Sequence, residues 1–133
     1  MTHTMRLRNV IFALLGAGGL MAKRSYAEPL RDFVYSYGGN LSVSFGLYFA
    51  VVNATERYRQ PRLAAALIVL AAVTSFELTD GFGVMENVYD PGDLPANAVG
   101  VGVAVLSDFL TGRLVGGPRG GGVRGVRVDR DIL

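Results

Sequence analysis

The sequence predicts an all-α protein, a small integral-membrane bundle of about four transmembrane helices. Three observations point there. The 133 residues are 50% apolar and only 18% charged, with a mean hydropathy of +0.34, which is too apolar for an ordinary soluble domain. Four long apolar runs are separated by short polar stretches. Arginines concentrate in alternate stretches, as the positive-inside rule requires of a multi-pass chain. The basic groups are read first as topological signals. The chain has no cysteine and one histidine, His3, which excludes disulfides, thiolate metal sites and a histidine-based triad. No metal and no cofactor is expected. Tryptophan is also absent, so an interfacial aromatic belt falls to tyrosines such as Tyr35, Tyr37, Tyr48 and Tyr89.

The first run covers about residues 9–22. It is short of the roughly 20 residues a span needs. Arg6 and Arg8 precede it, and Ser25, Tyr26 and Ala27 follow, in the manner of a signal peptide. Lys23 and Arg24 stand where such a peptide is neutral, so the run is read as a retained helix, short or tilted.

The second run covers about residues 33–54. Gly38, Ser42, Gly46, Ala50 and Ala54 recur every four residues, a small-residue stripe that lets helix backbones approach closely. Asn40 is the polar exception. It serves either an interhelical hydrogen bond or a site lining.

The third run covers about residues 62–82 behind Pro61, which suits a first helical turn. Thr74, Glu77 and Gly81 share a face, with Asp80 adjacent. The fourth covers about residues 94–115. Its stripe is Ala96, Gly100, Ala104, Asp108 and Gly112. Asp108 is read as a satisfied charge at the inner surface, one turn before Arg113. The chain from 116 to 133 is rich in Gly and Arg and reads as a mobile basic tail, because glycine runs do not nucleate helix.

With the N-terminus inside, ten of the 13 Lys and Arg residues fall on the inner side. Both termini are therefore expected in the cytoplasm, with the inner (cytoplasmic) membrane as the location of a multi-pass chain. The stretch 76–98 then faces outward. It carries Glu77, Asp80, Glu86, Asp90 and Asp93 and no Lys or Arg. Carboxylates at membrane depth are costly and often mark function. Asn40, Glu77, Asp80, Asp90, Asp93 and Asn97 are the candidate ligand-binding residues of one outward pocket. Each has a plainer reading. Asp93 suits a cap at the start of helix four. Residues 90–93, Asp-Pro-Gly-Asp, suit a tight turn. Glu77 is hydrated at the interface, paired, or protonated by desolvation.

Glu77, followed by Tyr89-Asp90-Pro91-Gly92-Asp93-Leu94-Pro95-Ala96-Asn97-Ala98-Val99-Gly100-Val101-Gly102, resembles the signature of VanZ-like membrane proteins. That family has a helix-borne Glu, an Asp-Leu-x-x-Asn step and a following Gly-rich helix. The resemblance covers about residues 32–110. It implies small bacterial helical bundles, some linked to glycopeptide-antibiotic tolerance, and carries over Glu77, Asp93, Asn97 and Gly100. This chain lacks the expected Gln soon after Glu77 and an Arg in the hinge.

The expectations are three. The first is a VanZ-like protein whose acidic pocket takes a polar or cationic envelope ligand. The second is an accessory subunit of a larger membrane complex, since Gly38, Ser42, Gly46, Gly100 and Ala104 suit lateral helix packing, in a homo-oligomer or with other chains. The third is a minimal cation or proton transporter using Glu77 and Asp80. No catalytic residue is assigned, because no nucleophile–base pair is evident. The bilayer is the expected partner, with anionic headgroups at the basic tail and no nucleic acid.

Overall fold

The computed structural model describes residues 1–26, 29–79 and 90–115. Within them the chain forms four α-helices and no strand: α1 His3–Ala22, α2 Arg31–Ala54, α3 Pro61–Leu78 and α4 Asp93–Val115, with a 3-10 turn at Lys23–Ser25 after α1. Asp80, Glu86 and Tyr89, and the tail from 116, lie outside the described residues.

Helix α1 begins six residues before its apolar run. The Thr2 hydroxyl accepts from the Met5 N–H at 3.3 Å, satisfying one of the orphan donors of a helix start. The polar first turns are carried because Arg6 and Arg8 find partners across the bundle. The result is a 20-residue helix, long enough to cross a bilayer. Helix α3 starts at Pro61, which fills its first turn. The buried Thr55 hydroxyl ties the α2–α3 turn by donating to the Pro61 carbonyl at 3.1 Å. Before α4, the Asp90 carboxylate accepts from the Gly92 N–H at 2.8 Å, and the Asp93 N–H closes onto the Asp90 carbonyl at 2.9 Å. Residues 90–93 thus form the tight turn their composition suggests.

Helix α2 is central. It packs on all three others, α3 also packs on α4, and α1 rests almost wholly on α2. Cross-helix contacts place the starts of α1 and α3 beside the ends of α2 and α4, so successive helices run antiparallel. The core consists of Tyr48, Phe49, Val52, Ala65, Val69, Val73, Val101 and Ala104. Phe12 of α1 joins it, tilted on Phe49 with ring centroids 4.6 Å apart.

Helices α1, α3 and α4 are long and apolar enough to cross a membrane. Their outer faces expose Leu14, Leu15, Leu67, Ile68, Leu106 and Leu110, an apolar belt suited to lipid and unsuited to water. Helix α2 is more polar: Arg31, Asp32, Tyr35 and Ser36 at its start are exposed, while Ser44 and Tyr48 further along are fully buried between helices.

The stripe on α4 is buried along its whole length, from Ala96 through Gly100, Ala104 and Asp108 to Gly112. Gly100 lies against the backbone of Leu41 and the side chain of Ser44. The stripe on α2 is interrupted. Ser42 and Gly46 meet α1, where a Cβ on Gly16 would come within 2.5 Å of the Gly46 Cα. Ala50 and Ala54 are exposed, and Gly38 lies nearest to Val34 of its own helix. The rotation of α2 between two neighbours explains the split, since no single face of it can meet both α1 and α4.

Candidate functional site

The end of the bundle where α2 starts and α3 finishes, expected to face outward, gathers most of the described candidates. Asn40 lies on the third turn of α2 and hydrogen-bonds Asp93, the first residue of α4. Glu77, at the end of α3, is 5% exposed and lies within electrostatic reach of Asp93, as do Asp90 and Lys23. Asn97 follows Asp93 by one helical turn, is buried, and accepts a hydrogen bond from the Ser44 hydroxyl at 2.5 Å. Asp90 accepts from the Tyr37 hydroxyl at 3.4 Å, a long contact at the surface. Asp80 lies outside the described residues.

The groove described at this end, about 350 Å³ in volume, is lined by Phe33, Tyr37, Leu41, Pro95, Ala96 and Val99, with Gly92 at its edge. It is apolar. Glu77 and Asn97 are packed between helices and are not part of its wall. The reason is the pitch of α4: Asp93 and Asn97 share one face of the helix, while Pro95 and Val99 occupy another. Asp93 sits inside the first turn of α4, where its charge meets the positive end of the helix dipole. The turn itself is held by the Asp90 carboxylate, which accepts from the Gly92 N–H.

The opposite end holds a second polar cluster, more deeply buried. Asp108 is 2% exposed. One carboxylate oxygen accepts from Arg8 Nη2 at 2.5 Å; the other accepts from Arg62 Nε at 2.8 Å and from the Tyr48 hydroxyl at 3.0 Å. Arg8 also donates to Asn9 and Thr111, and Asn9 donates to Asn53 at 2.8 Å. All four helices therefore meet at one carboxylate and its neighbours. Outside them, Arg6 pairs with Glu56 at 2.5 Å, and this holds the Glu56 carboxyl below its usual range.

This network bears on three sequence readings. Asp108 is satisfied, but by Arg8 and Arg62; Arg113 lies over the Phe109 ring at 4.0 Å. Tyr48 is a core donor to Asp108 and no part of an interfacial belt. Arg8 and Arg62, read as topological signals, are also the partners of the buried acid. The signal that could have found them was present: Asp108 occupies the fourth position of a stripe otherwise made of Gly and Ala, so it had to face the bundle.

Among the described residues, no three potential metal ligands converge. The carboxylates and amides of the outer end can accept hydrogen bonds from, and attract, a cationic group. No protein-family model, curated protein or solved structure matches this chain.

Proposed function

We propose that this is a four-pass membrane protein of VanZ-like type with both termini in the cytoplasm, whose outward end recognises a polar or cationic envelope ligand. The observation that carries the reading is that Glu77 of α3 and Asp90 of the α4 turn lie within electrostatic reach of Asp93, which also takes a hydrogen bond from Asn40 of α2. Three carboxylates with Lys23 as the cation in electrostatic reach of Asp93 make that end acidic, and the field attracts positive charge.

Orientation is tested first. The chain lacks cysteine, so Pro91→Cys and Tyr58→Cys each give a single label site at opposite ends. An impermeant thiol reagent on intact cells should mark Pro91→Cys and spare Tyr58→Cys; the reverse pattern removes the topology. Ligand recognition is tested with spermidine as a cationic probe on detergent-solubilised protein. It should raise the melting temperature of the parent more than that of Asp93→Asn, and equal shifts would remove the acidic end as the binding site.

A second reading, the accessory subunit, has its own support. Helices α1 and α4 touch little and leave a groove of about 320 Å³ over α2, lined by Phe12, Leu15, Gly16, Leu41, Phe45 and Val103 among others. Native mass measurement after mild solubilisation separates the readings: stoichiometric unrelated chains favour the subunit, a lone or homo-oligomeric species the first reading. The minimal transporter, with Glu77 and Asp80 as carriers, needs this same end and predicts proton or cation flux in vesicles.

A further inference from the structure

The end that carries the buried Asp108 also opens into a cleft of about 450 Å³, whose walls include Arg8, Arg62, Gln60, Met5, Val52 and Leu63. Its two carboxylates, Glu56 and Asp108, are already engaged. Glu56 takes two hydrogen bonds from Arg6. Asp108 takes one from each of Arg8 and Arg62 and one from Tyr48. One acid against two guanidiniums leaves a positive charge in the cleft wall; Arg57 lies within electrostatic reach of Glu56 but is not part of the wall.

The two arginines differ in what they have left to offer. Arg8 is 11% exposed and engages Asp108, Asn9 and Thr111 through Nε and both Nη atoms. Arg62 is 45% exposed, and among the described residues its hydrogen bond to Asp108 uses Nε. Its Nη2 lies against Gly112 of α4, and neither Nη has a hydrogen-bond acceptor among the described residues, so the half-exposed guanidinium keeps donors for a phosphate oxygen. Asp108 fixes the guanidinium from behind, so little freedom is lost when an anion arrives in front.

We propose that this cleft is a binding site for the phosphodiester headgroup of an anionic phospholipid, with Arg62 as the principal ligand and Gln60 at the rim. The proposal rests on the membrane reading of α1 and α3. Arg62 is the second residue of α3, which places it at headgroup depth when that helix spans. The rest of the wall favours a lipid over free phosphate: Met5, Val52, Pro61 and Leu63 offer apolar surface to the glycerol and first acyl carbons beside the guanidinium. This goes beyond general attraction of basic loops to an anionic leaflet, because it assigns one arginine and one cleft.

The experiment compares nanodiscs of phosphatidylcholine alone with nanodiscs that also contain phosphatidylglycerol, and counts lipid retained on the released protein by native mass spectrometry. Phosphatidylglycerol should be retained in preference. Arg62→Lys keeps a charge for Asp108 and loses the Nη donors; Gln60→Glu leaves the Asp108 network untouched and repels the headgroup. Each should weaken retention about tenfold, as expected for losing one charge-assisted hydrogen bond. Arg57→Gln should leave it unchanged. Equal retention of the two lipids overturns the proposal, as does an Arg57→Gln effect equal to that of Arg62→Lys, which would reduce the site to surface charge. Thermal protection by inorganic phosphate, lost in Gln60→Glu and unmatched by phosphatidylglycerol, would overturn the lipid as occupant. If Arg62→Lys fails to fold, Gln60→Glu decides the outcome.

Discussion

The two ends of the bundle solve the problem of buried polar groups in opposite ways. At one end Asp108 is closed by Arg8, Arg62 and Tyr48. At the other, Glu77 and Asp93 approach each other, with Asn40 as hydrogen-bond donor to Asp93 and Lys23 within reach of it. A carboxylate with two guanidiniums is complete in itself and locks the helices that supply its partners. A carboxylate with a like-charged neighbour is under repulsion and gains when a cation arrives. The difference separates a fastening from a candidate binding surface within one small fold.

The largest effect should come from breaking the fastening. Asp108→Asn keeps the shape and removes the charge, leaving two guanidiniums facing each other across a neutral amide. Removing one partner of a buried ion pair costs about 3–5 kcal/mol, and unfolding in mixed micelles should show a loss of that order. Asp93→Asn, which relieves repulsion with Glu77 and Asp90, should cost far less or stabilise. Equal losses at the two positions would break the comparison between the ends.

The seam between the ends comes next. Gly16 and Gly46 meet with no space for a side chain, while a Cβ on Gly18 would meet nothing within 4 Å. Gly46→Leu should destabilise by roughly 1–3 kcal/mol or prevent assembly, and Gly100→Leu should act similarly through α4. Gly18→Leu should be silent. If Gly46→Leu melts like the parent, α1 does not seat on α2 as described, and the link from Arg8 to Asp108 loses its support.

Much of this was legible in the sequence, and the reasons are local. Helix number and order follow from apolar runs bounded by Pro61, the Asp90–Asp93 turn and short polar loops. The α4 stripe was readable because four-residue spacing of small residues needs no knowledge of the partner. The Asn40–Asp93 contact was reachable from topology alone, because both residues lie at one end. The start of α1 was not readable from hydropathy: Arg6 and Arg8 look like flanking charges until their partners Glu56 and Asp108 are placed beside them, 50 and 100 residues away. The apolar character of the outer groove was also hidden, since it depends on how α4 is rotated against α2.

Glu77 tests the other end more finely. It is nearly as buried as Asn97, so its shape matters as well as its charge. Glu77→Gln should hold the fold within about 1 kcal/mol, and Glu77→Leu should cost about 1–3 kcal/mol by leaving neighbouring polar groups unsatisfied. The cationic probe should lose its effect in Glu77→Gln. A Leu variant that folds and binds like the parent would place Glu77 outside both roles.

The smallest effect belongs to the pair at the surface of the fastened end. Arg6 donates twice to Glu56, and this hydrogen bonding, with the guanidinium charge behind it, holds the Glu56 carboxyl below its usual range. A carboxyl whose value is depressed on folding stabilises the fold above its unfolded pKa, which is about 4.3 for glutamate. That contribution disappears as the pH falls through the lower, folded value. The parent should therefore exceed Glu56→Gln in melting temperature at neutral pH, and the gap should close under acid. The gap itself should be small and should shrink in high salt, because both side chains are open to solvent and exposed pairs contribute little. The contrast with Asp108 is then quantitative: the same Arg–carboxylate chemistry, two residues apart on α1, is worth most where water is excluded and least where it is not. A gap that persists unchanged below the folded pKa would mean that Glu56 acts through packing against its cleft neighbours, with Arg6 as a bystander.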